Sequence, residues 1–124
     1  MEKIKELLAV IRKEGDSKTF IHKDFECRIY RTKTIGHLCG YIRIPSTHKF
    51  YRKPKKVEDL NVHGGITYVS HELRGELGWW IGFDCGHYCD ISPYLSEITG
   101  IVFGEYRTME YVTKELHKLV EQLF

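Results

Sequence analysis

The sequence lacks a long hydrophobic run, and it has few of the features that mark a special class of protein. No stretch of about eighteen apolar residues occurs, so we expect no transmembrane helix and no membrane partner. Charged residues interrupt the apolar ones in the N-terminal "MEKIKELLAVIRKEG", which argues against a signal peptide. The chain has no CxxC pair, only three prolines and a formal net charge of +2. These absences argue against a paired-cysteine zinc module and against a nucleic acid polymer as partner.

What the chain does contain is typical of a folded domain. Hydrophobic residues make up 42% and charged residues 29% of the 124 residues, which predicts a single domain over residues 1–124. The four cysteines are expected to be thiols in a cytoplasmic protein. The one strongly basic stretch is His48 to Lys56, and it lies in a long polar segment, residues 45–62, that we expect to be a loop.

Hydrophobic periodicity predicts two terminal helices around a sheet. Apolar residues recur at helical spacing in residues 2–13 and again after a Thr108 N-cap. Between them the period changes to two. Five strands are expected at residues 26–32, 37–44, 64–73, 78–85 and 100–106. The sequence therefore predicts an α+β fold: a small bent antiparallel sheet or partial barrel, bracketed by N- and C-terminal amphipathic helices.

Paired glycines and two arginines suggest an anion site. Gly64 and Gly65 allow a close backbone approach and could present successive N–H groups to phosphate oxygens, although such a pair also simply turns a chain. Arg28 lies on the polar face of its strand, and Arg107 precedes the last helix, whose N-terminus attracts anions. Both arginines could equally be solvated surface charges.

The strand "GWWIGFDC" places Trp79 and Phe83 on one face and Trp80 and Asp84 on the other. Phe83 lies near the strand end, where its ring could leave the core and stack on a base. The alternative is that Phe83 is an ordinary core residue. The sequence does not show which face of this strand is buried.

The loop that follows the strand carries metal-ligating side chains. Asp84, His87 and Asp90, with His63 from the preceding segment, could hold a divalent metal in a hydrolase. A three-residue spacing aligns side chains only on a helix, which this stretch is not. A nucleophile, Cys85 or Cys89 beside a histidine, is a further possibility. Neighbouring strand residues point to opposite faces, however, so Asp84 and Cys85 are not expected to line one pocket.

Three stretches together carry a resemblance to a known family: "HGGITY", "WWIGFDCGHYCD" and the closing "YRTMEYVTKELHKLVEQL". This order resembles small phage and prophage proteins with HGG(I/L)TY, then GFDxxHxxD, then a terminal helix. They are the first-described Thoeris anti-defence proteins, the phage sponges. The resemblance covers residues 36–124 and leaves out the N-terminal helix.

The resemblance implies a binding protein and not an enzyme. Such sponges hold the cyclic ADP-ribose isomer made by bacterial TIR-domain immune enzymes (glycocyclic ADP-ribose), and some hold cyclic oligonucleotides. They act as oligomers with the ligand near subunit contacts. We therefore expect this chain to be a homo-oligomer in the host cytoplasm and to need no cofactor or metal. Phe83 would stack on the adenine, Asp84 would accept from ribose hydroxyls and Arg107 would pair with the pyrophosphate. His87 belongs to the same motif. Arg28 and the backbone of Gly64 and Gly65 follow from the residue types described above, not from the resemblance, and complete the expected ligand-binding set.

Two other functions stay open at this point. The first is a metal-assisted hydrolase of a nucleotide or phosphodiester, which would use His63, Asp84, His87 and Asp90 and would consume its ligand. The second is a protein that binds a host protein through its aromatic surface and takes no small molecule.

Overall fold

A computed structural model describes residues 2–124 as four helices and five strands. In chain order they are α1 (Glu2–Glu14), β1 (Ser17–His22), β2 (Phe25–Arg31), β3 (Leu38–Arg43), α2 (Pro54–Val57), β4 (Tyr68–Leu73), β5 (Glu76–Asp84), α3 (Pro93–Thr99) and α4 (Met109–Glu121). None of these helices is long and apolar enough to cross a membrane.

The strands form one open antiparallel sheet in the order β1-β2-β3-β5-β4. Both predicted hairpins, β2–β3 and β4–β5, are present, and the pairing of β3 with β5 joins them. The predicted α+β fold, with a helix at each end of the chain and a partial, unclosed sheet, is confirmed.

The predicted strand at residues 100–106 is wrong, and the fifth strand is β1. Residues 100–106 contribute a single bridge, between Glu105 and Asp90. β1 escapes prediction because it is an edge strand with mostly exposed side chains, so its sequence has no buried, alternating apolar residues. The long loop at residues 45–62 is also not wholly irregular, since it contains α2.

The core lies between one face of the sheet and α4. The helix packs on β2 and β3, and Val112, Leu116 and Leu119 are fully buried. Its N-cap is Thr108, as predicted, whose side chain accepts a hydrogen bond from the Tyr111 backbone. Each buried aliphatic side chain of this kind contributes about 1.5–3 kcal/mol, so the apolar stripe is what fixes α4 to the sheet.

The two faces of β5 alternate as predicted. Trp79 and Phe83 belong to the core that α4 covers. Trp80 is on the other face but is also buried, because the guanidinium groups of Arg28 and Arg43 lie over its ring at 5.1 Å and 5.6 Å. On this second face, arginine side chains thus cover Trp80.

Candidate functional site

The three motif stretches meet at a buried carboxylate. The Asp90 side chain is only 2% exposed, and it accepts a hydrogen bond from the Arg107 guanidinium at 2.8 Å. It also lies 2.8 Å from His63 Nε2 and accepts from the His87 backbone N–H at 3.1 Å. One side chain, Asp90, thus holds together three segments: the HGG turn (residues 63–65), the loop after β5 and the segment before α4.

His63 has both ring nitrogens engaged. Nε2 faces Asp90, and Nδ1 lies 2.8 Å from the hydroxyl of Tyr111 on α4. The His63 backbone N–H donates to the Glu115 carboxylate at 2.8 Å. These contacts on both ring nitrogens fix the orientation of the imidazole.

Burial alone would raise the pKa of Asp90. Hydrogen bonds from His63 and Arg107 outweigh it and hold the pKa of this carboxyl below its usual range. Asp90 is therefore ionised at neutral pH and holds Arg107 and His63 in place. This geometry gives Asp90 a positioning role, since its oxygens are occupied by protein groups.

The more open side of the site is formed by His87 and Asp84. His87 Nε2 lies 3.4 Å from the Asp84 carboxylate, and Thr67 donates to the same carboxylate at 3.0 Å. Both side chains are partly exposed. They can offer a histidine nitrogen and carboxylate oxygens to an incoming polar ligand.

Gly64 lets the His87 ring approach the HGG turn. A Cβ atom at Gly64 would lie 2.2 Å from His87 Nε2, and the φ of Gly64 is +69°. We expect Gly64→Ala to displace the His87 ring and to lower the free energy of unfolding by about 1–2 kcal/mol or more. The NMR shifts of the His87 ring and urea unfolding would show both effects.

Gly65→Ala is the matched control for this substitution. Gly65 has a similar φ of +79° but no atom within 4 Å of its Cβ position. Gly65→Ala should therefore lower the free energy of unfolding through backbone strain and leave the His87 ring in place. Equal changes at His87 in the two variants would contradict the packing role of Gly64.

Of the phosphate cradle expected at Gly64 and Gly65, the Gly65 N–H is already engaged within the protein. The Gly65 N–H donates to the Val62 carbonyl at 2.8 Å, so it closes a turn and is not presented to a ligand. The observed role of the pair is the alternative considered from the sequence, a turn into β4.

Phe83 does not leave the core. It is 1% exposed, and its ring lies so close to Gly40 on β3 that a Cβ there would approach Phe83 Cε1 to 2.7 Å. The absence of a side chain at Gly40 opens a space that the ring fills. The predicted stacking of Phe83 on a base is therefore not available in this structure.

None of the hydrogen bonds of Arg28 reaches another predicted site residue. It pairs with Glu26 and Glu76. Its charge is neutralised there, and it takes no part in the network around Asp90.

Arg107 is at the site, but the anion site expected at the N-terminus of α4 is already filled. Glu14 of α1 accepts from the Met109 backbone N–H at 2.8 Å and from the Tyr106 hydroxyl at 2.6 Å. Arg107 itself pairs with Asp90 and with the exposed Glu105. Of these two carboxylates, only Glu105 is exposed enough to give way to a ligand anion.

The four residues of the metal hypothesis do not converge. His63 pairs with Asp90 and His87 with Asp84, and the two imidazole centroids are 6.0 Å apart. Within residues 2–124, no group of three histidine, cysteine, aspartate or glutamate side chains is placed to hold a metal ion. The described residues thus offer no preformed metal centre for a hydrolase.

Three of the four cysteines are buried thiols. Cys27, Cys39 and Cys85 are buried, whereas Cys89 is exposed. Burial raises the pKa of Cys27 to about 12 and that of Cys39 to about 11, and it raises the pKa of Cys85 as well. Cys85 is therefore a poor nucleophile, because the thiolate is the reactive form.

We expect iodoacetamide at pH 8 to modify Cys89 alone in the native protein and all four cysteines after denaturation. Burial excludes the reagent from the other three thiols, and their raised pKa removes the thiolate. Intact-mass and peptide mass spectrometry would count and locate the adducts. Rapid modification of Cys85 in folded protein would contradict this account.

The sequence did not single out Tyr111 and Glu115, which complete the network from α4. They are four residues apart and therefore on one face of the helix. Their spacing relative to Arg107 was the available signal, but i, i+4 polar pairs are common on exposed helix faces. Only the packing of α4 against the HGG turn distinguishes them.

No protein-family model, no curated protein and no solved structure matches this chain.

Proposed function

We propose that this chain is a phage sponge that binds glycocyclic ADP-ribose in the host cytoplasm without cleaving it, and so blocks Thoeris immunity. One observation carries the proposal. The three stretches on which the resemblance rests are separate in sequence, and they meet in the hydrogen-bonded network of Asp90. The shared network gives the three stretches a common structural role, which supports treating them as parts of one site.

The partly exposed groups around this network suit a nucleotide with two phosphates and ribose hydroxyls. Asp84 can accept from hydroxyls, and His87 can donate to or accept from a polar ligand. Arg107 can pair with a pyrophosphate oxygen if the ligand replaces Glu105, since charge-assisted hydrogen bonds of this kind are strong. Asp90 would keep Arg107 in position for that exchange.

Retention of the ligand is favoured by how His63 and Asp90, two of the four residues of the hydrolase hypothesis, are engaged. The other two, Asp84 and His87, are partly exposed, and we assign them to ligand contact. A general base needs a free nitrogen or oxygen within reach of the substrate. Both nitrogens of His63 and the carboxylate of Asp90 are occupied by protein partners. These contacts favour a rigid binding site.

We also propose that the sponge is a homo-oligomer. A cluster of large hydrophobic side chains is exposed on and around α3: Tyr88, Leu95, Ile98, Ile101 and Phe103. Such patches mark interaction surfaces in soluble proteins. Nanomolar retention requires about 12 kcal/mol of binding free energy. A second copy that packs on the Ile98 and Ile101 side of this patch would close the neighbouring site from water and leave the rings of Tyr88 and Phe103 to the ligand.

Replacing Arg107 tests the proposed site. We expect Arg107→Ala to weaken binding of glycocyclic ADP-ribose about tenfold to a hundredfold in isothermal titration, because a charged hydrogen bond contributes about 1.5–3 kcal/mol. Arg12→Ala, at an exposed position on α1, is the matched control. Equal affinities of the two variants, both folded by circular dichroism, would contradict a ligand site at Arg107.

A further inference from the structure

A cleft of about 320 Å³ lies beside the candidate site and shares His87 and Asp90 with it. Its other walls are mainly apolar and include Ile35, Ile91, Leu95 and Phe103. The cleft therefore has a polar end at the Asp90 network and an apolar body along α3. Volumes of this size suit small ligands, and few polar groups in an apolar lining are typical of such sites.

Two aromatic rings stand side by side at this cleft. Tyr88 and Phe103 both line it, and their ring centroids are 5.3 Å apart with the planes tilted by 58°. Tyr88 is 84% exposed and Phe103 is 54% exposed. Much of each ring is thus left open to solvent and available to another planar group.

The backbone holds the two rings in place. The Glu105 N–H donates to the Cys89 carbonyl at 2.9 Å, and the Ile91 N–H donates to the Glu105 carbonyl at 2.9 Å. Gly104 permits this approach, because a Cβ there would lie 2.2 Å from the Cys89 carbonyl oxygen. The loop of Tyr88 and the loop of Phe103 are therefore tied together next to the cleft.

We propose that this cleft takes the adenine base of the bound nucleotide, with one of the two rings, Tyr88 or Phe103, stacked on its face and the other in contact with its edge. The inference rests on the proposed function and assigns to these rings the role that buried Phe83 does not fill. The base lies in the apolar body of the cleft, and the ribose and phosphates extend from its polar end towards His87, Asp84 and Arg107.

A purine fits this surface better than a wholly apolar ligand does. The cleft joins stacking rings to a cluster of histidine, aspartate and arginine, which matches the aromatic and polar halves of one nucleotide. Stacking on an aromatic ring contributes about 1–3 kcal/mol per base, which corresponds to about 5- to 150-fold in affinity.

The test measures binding of glycocyclic ADP-ribose to the full chain by isothermal titration, with Tyr88→Ala, Phe103→Ala and Tyr88→Phe. We expect each alanine variant to lose about tenfold in affinity and Tyr88→Phe to retain it, since phenylalanine keeps the ring. Phe124→Ala removes a ring that is 70% exposed and lines no part of the cleft; it is the matched control. Light scattering on every variant reports the oligomeric state.

The outcomes separate this inference from the function on which it rests. Tenfold loss in both alanine variants at unchanged oligomeric state supports stacking in the cleft. Tight binding by the wild type with unchanged affinity in both variants overturns the cleft assignment and leaves the sponge function standing. Affinity lost only together with assembly overturns the stacking role, and no binding by the wild type overturns both proposals.

Discussion

Asp90→Ala is expected to lower the free energy of unfolding by about 3–5 kcal/mol. The substitution leaves the part-buried Arg107 and His63 facing a cavity where an ionised carboxylate stood, and removing one partner of a buried ion pair costs this much. It also releases the His87 backbone N–H. Urea unfolding at pH 7 measures the effect.

Because of the Asp90 carboxyl, we expect the free energy of unfolding of the wild type to fall at acid pH. The pKa of Asp90 is lower in the folded chain than its ordinary value of 3.8. Its stabilisation is therefore fully present above the unfolded pKa and is lost as the pH falls through the folded pKa. We expect part of the acid destabilisation below about pH 4 to be absent in Asp90→Asn, which cannot titrate.

Glu105→Ala is the matched control for Asp90. Glu105 also pairs with Arg107, but it is largely exposed, and exposed ion pairs contribute only about 0–1 kcal/mol. A small effect at Asp90, comparable to that at Glu105, would contradict the view that Asp90 organises the site.

Phe83→Ala is expected to lower the free energy of unfolding by about 3–5 kcal/mol, the range for a fully buried phenylalanine. The ring fills the space above Gly40 in the core between the sheet and α4. Phe83→Leu keeps most of the apolar volume and should cost less. Thermal and urea unfolding would rank the three proteins.

This second prediction separates a core residue from a stacking residue. Phe124→Ala, at a largely exposed ring, should change stability little. Near-normal stability of Phe83→Ala with a selective loss of nucleotide affinity would show that the ring serves the ligand and would contradict its placement in the core.

The parts of the fold that follow from local pattern were predictable. The apolar stripe of α4 recurs about every turn, and the alternation of Trp79 and Trp80 along β5 follows every second residue, so the sequence displays both. Thr108 was predictable because threonine is a preferred N-cap residue. β1 was missed because an edge strand buries little and needs no regular apolar pattern.

The candidate site was only partly predictable, for a different physical reason. The motifs pointed to Asp84, His87 and Arg107. Asp84 and His87 are neighbours, and Asp90 links the His87 backbone to Arg107. Whether Phe83 faced the ligand depended on Gly40, which lies on another strand and leaves room for the ring. The filling of the α4 N-terminus by Glu14 likewise depends on a contact between residues far apart in sequence.

The central claim, sequestration without cleavage, is tested most directly by identifying what the protein releases. The purified chain is mixed with glycocyclic ADP-ribose, free ligand is removed, and the protein is then heated and the released fraction analysed by mass spectrometry. Intact glycocyclic ADP-ribose at a stoichiometric amount is the predicted result. A hydrolysed product, or a released fraction without any ligand, would contradict the account.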